Sequence, residues 1–277
     1  MLQIRKVSIP TRARRQSLPD LILHREILAE MPLMQPALGQ LGSPERYPPP
    51  PQRGFPFSPT DNWVESEEDS WYFLLSEIAL RRIADRVAEV VTDQIETILS
   101  TSEDVAIRDV VPIVEEFERQ THAWREHLPP KINFPDVPQP TDTELKQYSR
   151  GRYYRVLELM YRPFIFAAIH VIGCSQIVRD LASRGLSNAL KYLEHCHLTH
   201  RHHGRWLQLR NALKATCLLL AASRSKLDMP DGWYNGVKKT LQMLQYWRME
   251  FPSCQSYIDV ILVMDAYYKR PETMDTA

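Results

Sequence analysis

The chain reads as an all-α protein, a bundle of about seven helices that follows a proline-rich leader. Two observations predict this. Apolar residues recur near helical spacing through most of the sequence after Trp71, and no run alternates convincingly with the period of two that a half-buried strand shows. A third supports them: prolines and glycine-containing turns fall between the periodic stretches and separate them into helix-sized pieces.

The leader covers residues 1–62. Within the first 60 residues lie 11 of the 21 prolines, including Pro48 to Pro51. Proline fixes φ and has no N–H to donate, so a regular helix or central strand is excluded there and the leader is expected to be mostly disordered. Leu21–Leu33 has the pattern of a short amphipathic helix ending near Pro32, which would need a surface to dock on. Arg5, Lys6, Arg12, Arg14 and Arg15 precede the first acid, Asp20, and read as a nuclear-import signal or a phosphate-contacting arm.

The helical domain is placed at 63–270, with a disordered tail at 271–277. Its first helix is expected to open at Trp71, behind the acidic patch Glu65–Ser70, because carboxylates favour a helix N-terminus. Leu75, Ile78, Ile83, Val87, Val90 and Val91 then mark an apolar face, and Glu77 with Arg81 reads as an i,i+4 pair on the wet side. A second helix is expected from about Ile107 to His127. Five prolines between Pro129 and Pro140 mark a connection.

Thr141-Asp-Thr-Glu144 then reads as a capping box opening a third helix as far as Ala182, kinked at Pro163, with Gly185 as its stop. Four further helices are expected over Leu186–His203, Trp206–Ser223, Gly232–Glu250 and Ser253–Lys269. Roughly 200 residues in this region suit a single core.

Charge and composition narrow the function. There are 34 basic and 34 acidic residues, so the chain as a whole lacks the excess of cations on which phosphate binding relies. The longest apolar stretch, Phe164 to Cys174, is too short to span a bilayer and contains His170. Cys174, Cys196, Cys217 and Cys254 form no Cys-x-x-Cys pair and read as reduced, core-packed thiols of a soluble intracellular chain. No glycine-rich phosphate loop, nucleophile elbow or aspartate-rich metal motif is present, so no catalytic residue, cofactor or metal is assigned.

Two clusters invite a site. His195, Cys196, His197, His200, His202 and His203 lie within nine residues, but their side chains would radiate from a helix in several directions, which favours a basic helix end over a zinc site. Aromatic residues such as Trp124, Tyr161 and Trp247 are expected to fill the bundle core. Arg152, Arg155, Arg162 and Arg210 fall in apolar or aromatic segments and should pair with carboxylates such as Glu158. From these groups Tyr154, Arg162, Phe166, His170 and Trp206 are the candidates for an effector or partner pocket.

Several blocks carry a resemblance. Trp71-Tyr-Phe-Leu-Leu-Ser-Glu-Ile-Ala-Leu-Arg-Arg82, Leu128-Pro-Pro130, Gly151-Arg-Tyr-Tyr-Arg155, Tyr161-Arg-Pro-Phe164, Arg201-His-His-Gly-Arg-Trp206 and the Trp233…Tyr246-Trp247 helix occur in that order. Together they resemble the C-terminal regulatory, middle-homology region of fungal zinc-cluster transcription factors, over about 200 residues. The resemblance implies a nuclear transcription regulator, often of metabolic and secondary-metabolism genes, acting through protein contacts and a small effector. Partners would be other regulators or co-regulators, in homo- or heterodimers. The family's DNA reader binds zinc through six closely spaced cysteines, and no cysteine precedes Trp71 here. DNA-binding residues therefore stay unknown, and contact with DNA is expected to be indirect. Localisation is expected to be nuclear, with the cytoplasm open. The rival is an all-α metabolite-binding protein or enzyme on the same scaffold, since fold does not fix function.

Overall fold

The computed structural model describes residues 63–100, 103–170, 173–196, 204–225 and 227–268. The leader's short helix and basic cluster, and the histidines at 197, 200, 202 and 203, lie outside them. Among the described residues there are seven helices and no strand, in order α1 (Trp63–Ser100), α2 (Glu103–Glu126), α3 (Glu144–His170), α4 (Gln176–His195), α5 (Arg205–Ala222), α6 (Trp233–Trp247) and α7 (Ser253–Tyr268). None of these helices is long and apolar enough to cross a membrane.

Helix α3 is the axis of the bundle. Ser149 to Ala167 are buried almost without interruption, and the helix packs most extensively against α4, then α1, with α2 and α5 on its remaining sides. A helix buried all round must be apolar all round or carry partners for its polar groups. This one does both: Leu157, Met160, Phe164 and Ile165 fill the core, while Arg150, Arg155, Glu158 and Arg162 are engaged in ion pairs. Pro163 lies within the helix without ending it. On the far side, α7 packs on α5 and α6. The hydroxyl of Thr216 donates to Thr240 at 2.9 Å between α5 and α6, and Tyr234 reaches Asp265 at 3.1 Å between α6 and α7.

Helices α2, α5, α6 and α7 lie within a few residues of the spans expected from periodicity. Val110, Val114, Thr121 and Leu128 are buried, and Trp124 Nε1 donates to the Ser76 carbonyl at 2.9 Å, tying α2 to α1. The proline-rich connection is anchored by apolar side chains and guanidiniums. Ile132 and Phe134 are buried, Arg125 Nη1 donates to Asp136 at 2.6 Å, and Arg150 holds both the Pro135 carbonyl and Asp142.

Four expectations are corrected. Helix α1 starts at Trp63, so the acidic patch occupies its first turns and does not precede it; carboxylates there still favour the positive end of the dipole. The Thr141–Glu144 capping box is not formed. Helix α3 begins at Glu144, the Thr143 hydroxyl accepts from the Lys146 amide, and Asp142 serves Arg150 and the Gln139 amide. The third helix ends at His170, well short of Ala182. Gly173 takes a positive φ of 80°, and Ser175 caps a new helix by accepting from the Val178 amide. Gly185, in turn, is no stop. It sits inside α4, where a Cβ would fall 2.6 Å from Tyr161 Cβ and 2.8 Å from Ile165 Cδ1. Its role is to let α4 approach α3.

Candidate functional site: a basic cavity between three helices

Where α3 meets α4 through Gly185 the interior is filled; where it faces α1 and α5 it is not. A cavity of about 500 Å³ lies among α1, α3, the end of α4 and the start of α5. A smaller one of about 230 Å³ adjoins it deeper along α1, α3 and α5. The two share Arg152, Arg155, Leu207 and Asn211.

The shared residues are held in place. Arg152 Nε donates to Glu77 Oε2 at 3.1 Å, bridging α3 to α1. Glu77 is thus turned toward α3, and Arg81, expected beside it on the wet face, lines the smaller cavity instead. Arg155 donates to Glu158 at 2.5 Å and, through Nη2, to Asn211 Oδ1 of α5 at 3.4 Å. Glu158 also accepts two bonds from Arg162, at 2.6 and 3.1 Å. A carboxylate fully withdrawn from water requires such compensation. The pairing expected for these arginines is present at Arg152, Arg155 and Arg162.

The larger cavity carries most of the hydroxyl, amide and imidazole groups. Tyr148, Gln208 and Asn211 line it, as do His195 and Cys196 at the end of α4. Burial pushes the Cys196 thiol up, although the Tyr192 hydroxyl at 3.9 Å partly offsets this, and burial pushes the Tyr192 phenol well up. Both therefore stay protonated at neutral pH. His195 stacks on Tyr154 at 5.4 Å. Among the described residues no group of three or more His, Cys, Asp and Glu is placed to hold a metal ion.

The five sequence candidates occupy different places. Trp206, 45% exposed, borders the smaller cavity. Tyr154 borders a shallow polar cleft on the other side of α3, with Asp136 3.5 Å from its hydroxyl; burial raises its pKa to about 12. Arg162 is locked to Glu158 in the core, while Phe166 is buried with the half-buried His170 ring 4.3 Å away, at the end of α3.

Sequence reasoning missed Lys214, Arg81, Tyr148 and Gln208 as lining residues. One signal was available. Lys214 is the single charge in Ala212–Ala222, an otherwise apolar run apart from Thr216, and a helix that buries such a run must place the ammonium somewhere deliberate.

Comparison of the chain with known protein families, with curated proteins and with solved structures finds no match.

Proposed function

We propose that this chain is a regulatory helical domain of the fungal zinc-cluster transcription-factor type, controlling metabolic genes through protein contacts and a small effector held between its helices. One observation carries the reading. Three of the blocks that carry the resemblance, far apart in sequence, meet around the two adjoining cavities: Phe73, Glu77 and Arg81 from Trp71–Arg82, Gly151, Arg152 and Arg155 from Gly151–Arg155, and Trp206 from Arg201–Trp206. A cavity lined by several helices and mostly apolar, with a few convergent polar groups, is the usual form of a small-molecule site.

The four cysteines are buried, outside any disulfide and set apart along the fold, so the reading gives these residues no zinc-cluster role. Sequence-specific DNA contact would come from partner regulators, in homo- or heterodimers, and the working location would be the nucleus. The reading is non-enzymatic.

Mapping chromatin occupancy of the tagged full chain at native expression, together with its cellular distribution, tests it. Discrete peaks, with the binding motif of a partner beneath them, are the expected result. A cytosolic signal without peaks would overturn the regulatory reading. It would leave the second one, an all-α metabolite-binding protein or enzyme, which the polar lining by Tyr148, His195, Gln208 and Asn211 favours on its own.

A further inference from the structure

Every charged side chain that lines the smaller cavity is basic. Arg81 comes from α1, Arg152 and Arg155 from α3, and Arg210 and Lys214 from α5. This is not a general excess of cations, because bases and acids are equal in number over the chain. Nor is it an exposed basic face. Lys214 is 1% exposed and Arg155 7%, while Arg81 and Arg210 are half-buried. Three carboxylates stand close without lining the space: Glu77 meets Arg152 from the larger cavity, Glu158 meets Arg155 from the core, and Asp85 of α1 lies near Arg81 and Arg152. A cleft lined by one sign of charge with low-dielectric walls concentrates its field on whatever enters.

The remaining walls are apolar. Leu80 and Ala84 of α1, Val156 and Leu159 of α3, and Trp206 and Leu207 of α5 line the same space. A ligand matching both halves has an anionic head and an apolar body. Guanidiniums suit such a head because their planar fork matches a carboxylate or phosphate in two parallel hydrogen bonds. At about 230 Å³, with the larger cavity adjoining through Arg152, Arg155, Leu207 and Asn211, the space takes a metabolite-sized molecule.

We propose that the cavity between α1, α3 and α5 binds an organic anion with an apolar body, its head received by Arg81, Arg210 and Lys214 and its body lying along Leu80, Leu159 and Leu207. The proposal names the chemistry of the effector in the regulatory reading and rests on that reading for its biological consequence. Binding itself depends only on the cavity and is measured without DNA or a partner.

Calorimetric titration of the purified full chain with octanoate, 1-octanol and octylamine, three probes of matched length and different charge, tests it. Octanoate is expected to bind, 1-octanol at least about tenfold more weakly, and octylamine not at all. Arg81→Gln and Arg210→Gln should each weaken octanoate about tenfold and leave 1-octanol unchanged. Both positions are half-buried, so either variant should keep its helical circular dichroism, and either alone gives the reading. Equal binding of octanoate and 1-octanol would overturn the proposal. So would undiminished octanoate binding by both folded variants, or no octanoate binding into the millimolar range. Octanoate binding without chromatin occupancy would instead retain the site and sink the regulatory reading.

Discussion

Two seams of α3 are built on opposite principles. Around Gly185 of α4 it is closed by removing atoms: the glycine brings the helices together until a single methyl has no room beside Tyr161 and Ile165, and the polar cleft at Tyr154 opens only beyond that contact. Against α1 and α5 it is held apart by long polar side chains, with Arg152 reaching Glu77 and Arg155 reaching Asn211 across spaces of about 500 and 230 Å³. Close packing gains dispersion from every contact and leaves nothing to bind. A strutted seam gives up some of that gain and keeps a lined space. The difference separates the part of the bundle that secures the fold from the part available for chemistry.

The strongest way to break the comparison is to remove the carboxylate that anchors the Arg155 strut from within α3. Glu158 is fully buried and is the carboxylate that Arg155 and Arg162 share. Glu158→Ala should destabilise the domain by about 3–5 kcal/mol, because it takes the carboxylate away from two guanidiniums that remain inside. Urea unfolding followed by circular dichroism measures this. A loss below about 1 kcal/mol would mean that the two guanidiniums do not need this carboxylate, and that Arg155 is not held in place from the core.

The closed seam is tested by adding one methyl. Gly185→Ala removes a flexible residue from the interior of α4, which by helix propensity alone would stabilise by about 1 kcal/mol. Here the new Cβ would lie 2.6 Å from Tyr161 Cβ, an atom fixed to the backbone of a buried helix. Overpacking should win and give a net loss of about 1–3 kcal/mol in the same unfolding assay. A gain in stability would show that α3 and α4 can slide apart at no penalty.

These two glycine and carboxylate positions also show what the sequence could and could not disclose. Helices α2 and α6 were legible as amphipathic stripes, and α5 and α7 as largely apolar runs, set off by Pro129, Pro230 and Pro252. The break between α3 and α4 was not. Gly173 and Gly185 are the same residue twelve positions apart, one taking a positive φ between two helices and one admitting a neighbouring helix. Only the packing partner, which is distant in sequence, decides between these uses. The site was legible in part. Arg152, Arg155 and Arg210 stood out as charges in apolar surroundings, but that they converge with Arg81 and Lys214 on one space depends on how three helices are stacked. Tyr154, Phe166 and Trp206 were drawn together by their size, and the stacking distributes them to different sides of the bundle.

The smallest expected effect sharpens the comparison at the rim of the open seam. Asp85 of α1 stands near Arg81 and Arg152, yet its carboxyl is held above the ordinary value of 3.8. Desolvation is the largest cause, outweighing the attraction of Arg81; Glu89 adds to the rise, and Arg152 lowers it slightly. Its Oδ1 is buried without a hydrogen-bond partner among the described residues. A folded-state pKa above the unfolded one means that the fold binds this proton more tightly. The stability from that proton is fully present below about pH 3.8 and is lost as pH rises through the folded value. At pH 7 the ionised carboxylate is therefore a mild liability. Asp85→Asn should be more stable than the parent at pH 7, by less than about 1 kcal/mol because the side chain is only partly withdrawn from water. The gain should shrink as the pH is lowered and vanish below about 3.8. Thermal melts of both proteins across that range measure it. The same substitution leaves Arg81 with less opposing charge, so octanoate should bind the variant at least as tightly as the parent at pH 7. Weaker binding would show that Asp85 positions Arg81, and that the rim of the cavity is strutted in the same way as its floor.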